Sequence, residues 1–512
     1  MNVKPYPRLA LSVVFGVSLL LSLLLALPQA PRALRAAPAA LFVTPGGAGN
    51  CTQADPCALQ TALSLANRGD TLTLAQGTYT GNGGAVITLT QSITLYGGWD
   101  GAPAAPVRRD PALYPTILDG EGQRRVIVVG ETTTPTISGF TITRGNATGL
   151  LGSLFADSDA GGGIYSRDAS PLIHNNIITG NLASTRTGVR ALGGGVYLAN
   201  TAGAVLRDNE FAGNSAGIGI QQGDGGGLFA NGSFELQNNT FHDNIACQSC
   251  SSASGGGAYI GWVSTGAVIA GNHFTHNQSK TGGGLQLVWS KVHVHGNTFA
   301  DNAVTFSGGG LYTYYDQGST IQSNTFFSNT TAWSGGAVAI YIANGAQGTQ
   351  LHNNFIAHNR AAYDGGALYA HSDWNICAIT ATHNTLVNNG VGIAIGQHMT
   401  ATLINNIIFS HTLGITTTDS TANILADHTL FWANADDGAR GAYPVDGDPA
   451  FASPALDDYH ITPASAALDR GIAVPGVTTD LEGDPRPIGA GYDIGADELY
   501  PRIYLPLVIR QG

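Results

Sequence analysis

Lysine is nearly missing from this chain. Beyond Lys4 only Lys280 and Lys291 occur, and charged residues make up 11% of the 512 positions. With a net charge of −12 there is no basic surface to neutralise phosphates, which argues against nucleic acid as a partner. The same acidic balance disfavours polyanionic substrates such as pectate, unless bound cations bridge them. Cysteine is scarce as well, with five residues and a single C-x-x-C. Zinc needs paired ligand spacings that are absent here, so local disulfides are expected: Cys51 with Cys57, and Cys247 with Cys250. Cys377 is left over. Past the N-terminus, no apolar run is long enough to cross a bilayer.

The N-terminus itself reads as an export signal. Lys4 and Arg8 form a basic start, and Leu9 to Leu27 is an apolar run broken only by Ser12, Gly16, Ser18 and Ser22. Ala37-Pro38-Ala39 is a small-residue cleavage site, so residues 1–40 are expected to be removed as a signal peptide. An uncleaved membrane anchor is the alternative. Export implies a secreted or cell-surface location and an oxidising compartment.

What the chain has in abundance is glycine, at 70 residues, and apolar residues at 43% recur periodically, unlike a disordered composition. The motif N-x-[FIL]-x-x-N repeats from Asn176/Ile178/Asn181 through Asn239/Phe241/Asn244 and Asn297/Phe299/Asn302 to Asn384/Leu386/Asn389, and a last copy, Asn406/Ile408, ends in His411. It alternates with glycine clusters that begin at Gly161, Gly193, Gly225, Gly255, Gly282, Gly308, Gly335 and Gly365. The period of roughly 22 to 33 residues suits a solenoid, whose coils bury apolar surface only by stacking. Ile173, Leu206, Leu236, Ile269, Val294, Ile321, Leu351 and Leu403 hold one equivalent position, three before the first Asn. With the Phe/Ile column they are expected to form inward stacks. The Asn columns are expected to hydrogen-bond along the stack, and the glycines to turn the corners. Ahead of the coils, Ala58 to Asn67 places Leu59, Ala62, Leu63 and Ala66 on one stripe, which predicts a helix over the open end of the core.

The stretch from Cys51 to Tyr79, with "DPCALQTAL" and "GDTLTLAQGTY", resembles the N-terminal cap of β-helix proteins of the pectin-lyase-like superfamily. The "GGGIY" and "N-x-F-x-x-N" units are similar to the repeats of chlamydial-type polymorphic outer membrane proteins, which implies a displayed, adhesive β-helix. Asp457-Asp458-Tyr459-His460-Ile461, Asp480, Gly483 to Pro487 and Asp493 to Glu498 resemble the choice-of-anchor Q module of bacterial surface proteins. No outer-membrane barrel follows them; the sequence ends in Tyr504 to Ile509 and a short remainder. The expected fold is all-β: a right-handed parallel β-helix solenoid with an N-terminal cap helix and an irregular C-terminal cap. Residues 41–135 are read as cap and first coils, 136–434 as regular coils, 435–498 as the C-terminal module and 499–512 as a tail.

Candidate chemistry is sparse. The superfamily's hydrolase motifs N-T-D, G-H-G and R-I-K are missing, and Asp436-Asp437 and Asp457-Asp458 lie beyond the regular coils. Asp243 and Asp301 share a motif slot two coils apart, about 9.6 Å at the strand spacing, too loose for a retaining carboxylate pair. No catalytic residue is assigned. His293 and His295, with His273 and His276, are read as a solvated face rather than a metal site. No cofactor is assigned either; calcium is the one candidate ion, at Asp446-Gly447-Asp448 or Asp480 to Asp484. Tyr165, Tyr197, Phe229, Tyr259, Tyr312 and Tyr369 follow the glycine clusters and are expected to point outward, either as a self-supporting stack or as a surface. Three positions on, Trp262, Trp289 and Tyr315 form the candidate binding strip. A monomeric surface protein is expected, acting in adhesion or in binding an extracellular polysaccharide or surface protein, with a polysaccharide lyase or glycoside hydrolase as the alternative.

Overall fold

A computed structural model describes residues 37–264, 267–342 and 348–500. The expected signal segment up to residue 36, and tail residues 501–512, lie outside the described residues. The chain divides into two units, Met1–Ala39 and Ala40–Gly512, and every strand belongs to the second.

Each coil is a circuit of short strands, and one coil shows why. Gly282 turns the corner and Leu285–Val288 forms the first strand. A turn at Trp289 leads to His293–His295, then Asn297 leads to Thr298–Ala300, and Asn302 leads to Ala303–Ser307. The next coil repeats the circuit and pairs in parallel, Leu285 on Leu311, Val294 on Ile321 and Phe299 on Phe326. The strands thereby build three long parallel faces: a wide 24-stranded sheet holding the first two strands of each coil, a 14-stranded sheet and an 8-stranded sheet.

Register decides the core. The Ile269, Val294, Ile321 and Leu351 column and the Phe column stack without a slip, all fully buried. Phe241, Phe274, Phe299 and Phe326 lie 4.8 to 4.9 Å apart with planes within 11° of parallel, which is the strand spacing imposed on rings. The opening glycine of each cluster is left-handed, as at Gly282 with φ +58 and Gly308 with φ +69. The glycines that follow are needed for a different reason. A Cβ on Gly309 would sit 2.3 Å from the Gly336 carbonyl oxygen of the next coil.

Two asparagine ladders complete the corners. From Asn176 to Asn406, each amide nitrogen donates to the amide oxygen one coil on, for example Asn239 to Asn272 at 3.0 Å and Asn297 to Asn324 at 3.0 Å. The second ladder runs from Asn181 through Asn302 and Asn329 (2.9 Å) to Asn389. Each amide also caps backbone groups: Asn297 Nδ2 donates to the Ile269 carbonyl, and the Asn272 backbone N–H donates to Asn297 Oδ1. None of these side chains is more than 3% exposed, and every ladder amide has its partners, which removes the penalty of burying it. His411 continues the second ladder, set 3.3 Å from Asn389 Nδ2 and 3.3 Å from Asn434 Oδ1.

The helix is Leu59–Leu65, shorter than its apolar stripe, with Leu59 and Ala62 buried in the main core and Leu63 and Ala66 packed against it. At the other end, Ala422, Ile424 and Ala439 pack on the last core residues. Residues 451–461 form an antiparallel hairpin. With Ala467 and Ile494, the hairpin buries Phe451, Tyr459 and Ile461 against Ala357, Val387, Ile407 and Leu430, the outward side of the 14-stranded sheet. The Arg486–Glu498 ion pair, 2.8 Å long and fully buried, holds the following loop, where Arg486 also donates to the carbonyls of Asp493 and Gly495. Cys51 is joined to Cys57 and Cys247 to Cys250, while Cys377 is a buried free thiol.

Candidate functional site: an aromatic corner

The residues after each glycine cluster leave the core, as strand alternation predicts, but in the first coils they do not reach solvent. Tyr165, Tyr197, Phe229 and Tyr259 stack at 5.2 to 5.5 Å. Residues 149–160 fold over them. The Leu154 backbone N–H donates to the Tyr197 hydroxyl at 2.8 Å, and the Tyr165 hydroxyl donates to the Gly152 carbonyl at 2.6 Å. Phe155 lies under the Arg190 guanidinium at 3.8 Å and beside Trp262 at 5.5 Å. Tyr197 and Phe229 are fully buried as a result, so of the two readings of this column the self-supporting stack is the one these coils take, with a loop absent from the repeat pattern covering it.

The binding-strip candidates sit elsewhere than expected. Trp262, Trp289 and Tyr315 occupy the turn after the first strand, each left-handed with φ between +49 and +56, so strand alternation does not govern their direction. Trp289 and Tyr315 stack at 4.3 Å, whereas Trp262 turns to Phe155 and Tyr259. Trp262 and Trp289 are exposed and Tyr315 is half-buried.

Beyond Tyr259 the corner opens. Gln286 interrupts the column, and from there two aromatic walls flank the glycines. One wall is Phe306, Trp333 and Tyr363, just before the glycines of successive coils, with rings 5.6 and 4.6 Å apart. Their exposures of 51%, 46% and 60% are large for such side chains. The other wall is Tyr312, Tyr314, Tyr341 and Tyr369. Between them lies a cavity of about 260 Å³, lined also by His371 and Asp373. The Tyr341 hydroxyl donates to Asp373 Oδ2 at 2.6 Å, and Gln397 donates to Oδ1 at 3.2 Å. Burial, then the Asp373 charge, raises the pKa of Tyr341, so its phenol stays protonated. Burial lowers the pKa of His371, keeping the imidazole neutral. Among the described residues no lysine or arginine lines the cavity, and Asp373 is its one carboxylate.

The other sequence candidates are accounted for by local bonds. His293 and His295 lie ring to ring at 4.4 Å, and His293 meets Gln322, with no third ligand in reach. Asp243 faces His242, Asp437 pairs with Arg440, and Asp446 with the same arginine. Asp480 accepts backbone N–H groups from Glu482, Asp484 and Glu498. One group was missed: among the described residues, only His460, Glu482 and Asp497 bring three metal-competent side chains together. Its residues are 15 or more positions apart in sequence; Glu482 lies in the Asp480 to Asp484 stretch read as a calcium candidate, whereas His460 and Asp497 were outside that reading.

A stacked parallel solenoid with an open aromatic corner is the class of protein defined so far. The chain belongs to the right-handed β-helix family: the model described as "Right handed beta helix region" matches residues 122–299 and 226–408, together more than half of the sequence. No curated protein sequence matches it. Among solved structures, the chain is similar to the alginate lyase AlyGC, with 15% identity, TM-score 0.50, and coverage of 83% of this chain and 57% of that one. It is also similar to pectate lyase Pel9A, at 14% identity and TM-score 0.36 over 90% of this chain and 96% of that one. At these identities the likeness is one of fold.

Proposed function

We propose that this is a secreted or cell-surface β-helix protein that binds an extended polysaccharide along its open aromatic corner without cleaving it. The observation that carries this reading is the exposed Phe306–Trp333–Tyr363 wall facing Tyr314 and Tyr341 across a groove. Rings supply apolar contact for sugar C–H groups, and Tyr314, Tyr341 and Asp373 supply hydrogen bonds at their edges. Trp289 and Tyr315 extend the same strip by one coil. The likeness of residues 435–498 to an anchor module, and the leader-like residues 1–40, support display or export. The repeats' likeness to polymorphic outer membrane proteins supports an adhesive role.

The rival reading, a polysaccharide lyase, draws on Tyr341, His371 and Asp373 in one groove and on neighbours named as alginate and pectate lyases. Elimination from a uronate needs its carboxylate neutralised, and among the described residues this groove offers Asp373 and no lysine or arginine side chain. A hydrolytic pair of carboxylates is missing from the groove as well. The test is a glycan array with a parallel assay for reducing ends and unsaturated products. Binding lost in Trp333→Ala, with no product formed, is expected. Product formation abolished by Tyr341→Phe would overturn the non-catalytic reading.

A further inference from the structure

The C-terminal module gathers a second cluster, far from the aromatic groove in composition and chemistry. His460 lies on the 458–461 strand of the hairpin, Glu482 on the loop after Asp480, and Asp497 on the last segment. One ligand atom from each lies within 4.8 Å of the other two. His460 Nε2 and Glu482 Oε1 are 3.2 Å apart. Adjacent ligands of a tetrahedral zinc with bonds of ~2.0–2.1 Å are about 3.3 Å apart, so this pair already has the spacing of neighbours on one ion. Asp497 Oδ2 accepts the Ile461 backbone N–H at 2.7 Å, which fixes the carboxylate and leaves its other oxygen for a ligand.

The imidazole is oriented as a metal ligand is. Asp458 Oδ1 stands 2.6 Å from His460 Nδ1 and holds the ring with Nε2 facing Glu482. The site borders a cavity of about 700 Å³ that also receives Asp469 and Asp484, with no lysine or arginine among the described residues of its lining. Three carboxylates around one imidazole leave an excess of negative charge that a divalent cation would offset.

We infer that His460, Glu482 and Asp497 form a binding site for a divalent transition cation, of which zinc is the type, with Asp458 as the positioning residue. The nitrogen ligand separates it from a calcium site, which takes oxygen ligands only. Water from the cavity would complete the coordination. Bound there, the ion would tie together three segments that already meet through the His460–Glu482 contact and through the Asp497 and Asp480 carboxylates on the Ile461 and Glu498 N–H groups.

The test uses the full exported protein, stripped with a chelator and titrated with zinc by calorimetry, and with cobalt by visible absorption. One equivalent is expected, with a cobalt spectrum of low coordination number and a melting temperature that rises with free zinc. Glu482→Gln, nearly isosteric, and His460→Ala should each weaken zinc binding at least tenfold, and Asp458→Asn about 10- to 100-fold. Should His460→Ala fail to fold, Glu482→Gln alone decides. Zinc uptake unchanged in the folded variants would place the ion elsewhere and overturn the assignment, as would calcium binding in preference to zinc.

Discussion

The two ends of one corner teach different lessons. Between Tyr165 and Tyr259, the aromatic column outside the glycines is roofed by residues 149–160, its hydroxyls are spent on the loop's backbone, and it behaves as a second core. From Phe306 to Tyr369 the positions in register with that column are Tyr312, Ala339 and Tyr369, of which Tyr312 and Ala339 are buried as well, and the exposed rings are a different set, Phe306, Trp333 and Tyr363, two residues before the glycines and 46% to 60% exposed. What differs is the place in the coil, and with it the meaning of an aromatic residue: burial and stability after the glycines, a surface free to bind before them, where the first coils carry Ala191, Gly223 and Ala253 instead.

Substitution in the roofed half should have the largest effect. Phe229→Ala removes a fully buried ring and is expected to cost about 3–5 kcal/mol, read as a loss in chemical-denaturation midpoint. A cost below about 1 kcal/mol would mean that the roof does not seal the column.

Next comes acid sensitivity, which belongs to the ladder rather than to either aromatic half. Burial pushes His411 from 6.5 down to about 4. Above pH 6.5 both folded and unfolded chains carry it neutral, so it has no effect there. Between about 6.5 and 4 the unfolded chain takes up a proton that the folded one refuses, and stability falls as the pH drops. At about 1.4 kcal/mol per pK unit, this amounts to about 3 kcal/mol at pH 4. His411→Asn, which restores the ladder residue, should remove that component while leaving stability at pH 8 nearly unchanged. Urea denaturation of both proteins at pH 4.5 and 8 checks it. His352 and His383, pushed down to about 4 and about 3 chiefly by burial, leave a residual slope.

Trp289→Ala should fall between the extremes. Its ring is stacked on Tyr315 yet 40% exposed, so a melting loss equivalent to about 1–2 kcal/mol is expected, with weaker attachment to polysaccharide. The smallest effect on stability belongs to the open wall. Trp333→Ala should change stability by less than about 1 kcal/mol, while binding on the glycan array falls about tenfold or more. If Trp333→Ala destabilises as strongly as Phe229→Ala, the two halves are alike and the open corner is not a recognition surface.

Much of this was legible in the residues. The Asn and Phe columns specify register because side chains repeat at the strand spacing, and a slip of one residue would turn each Phe out of the core and each Asn into it unpaired. The glycine clusters are equally readable, since only glycine fits both a left-handed corner and a carbonyl 2.3 Å from any added Cβ. Even the outward direction of the Tyr column follows from alternation. The candidate strip did not, because Trp262, Trp289 and Tyr315 lie in left-handed turns where period two no longer holds.

The sequence by itself determined the stacked parallel coils, their inward columns, the cysteine pairs and the scarcity of positive charge, because each is a local or strictly repeating property. Only the tertiary structure decided which aromatics are covered, since residues 149–160 meet Tyr197 and Trp262 from far along the chain. It also decided that the C-terminal segment lies on the outward side of the 14-stranded sheet, and that His460, Glu482 and Asp497 converge. Those contacts join non-repeating segments, and no periodicity records where a non-repeating segment will fold back.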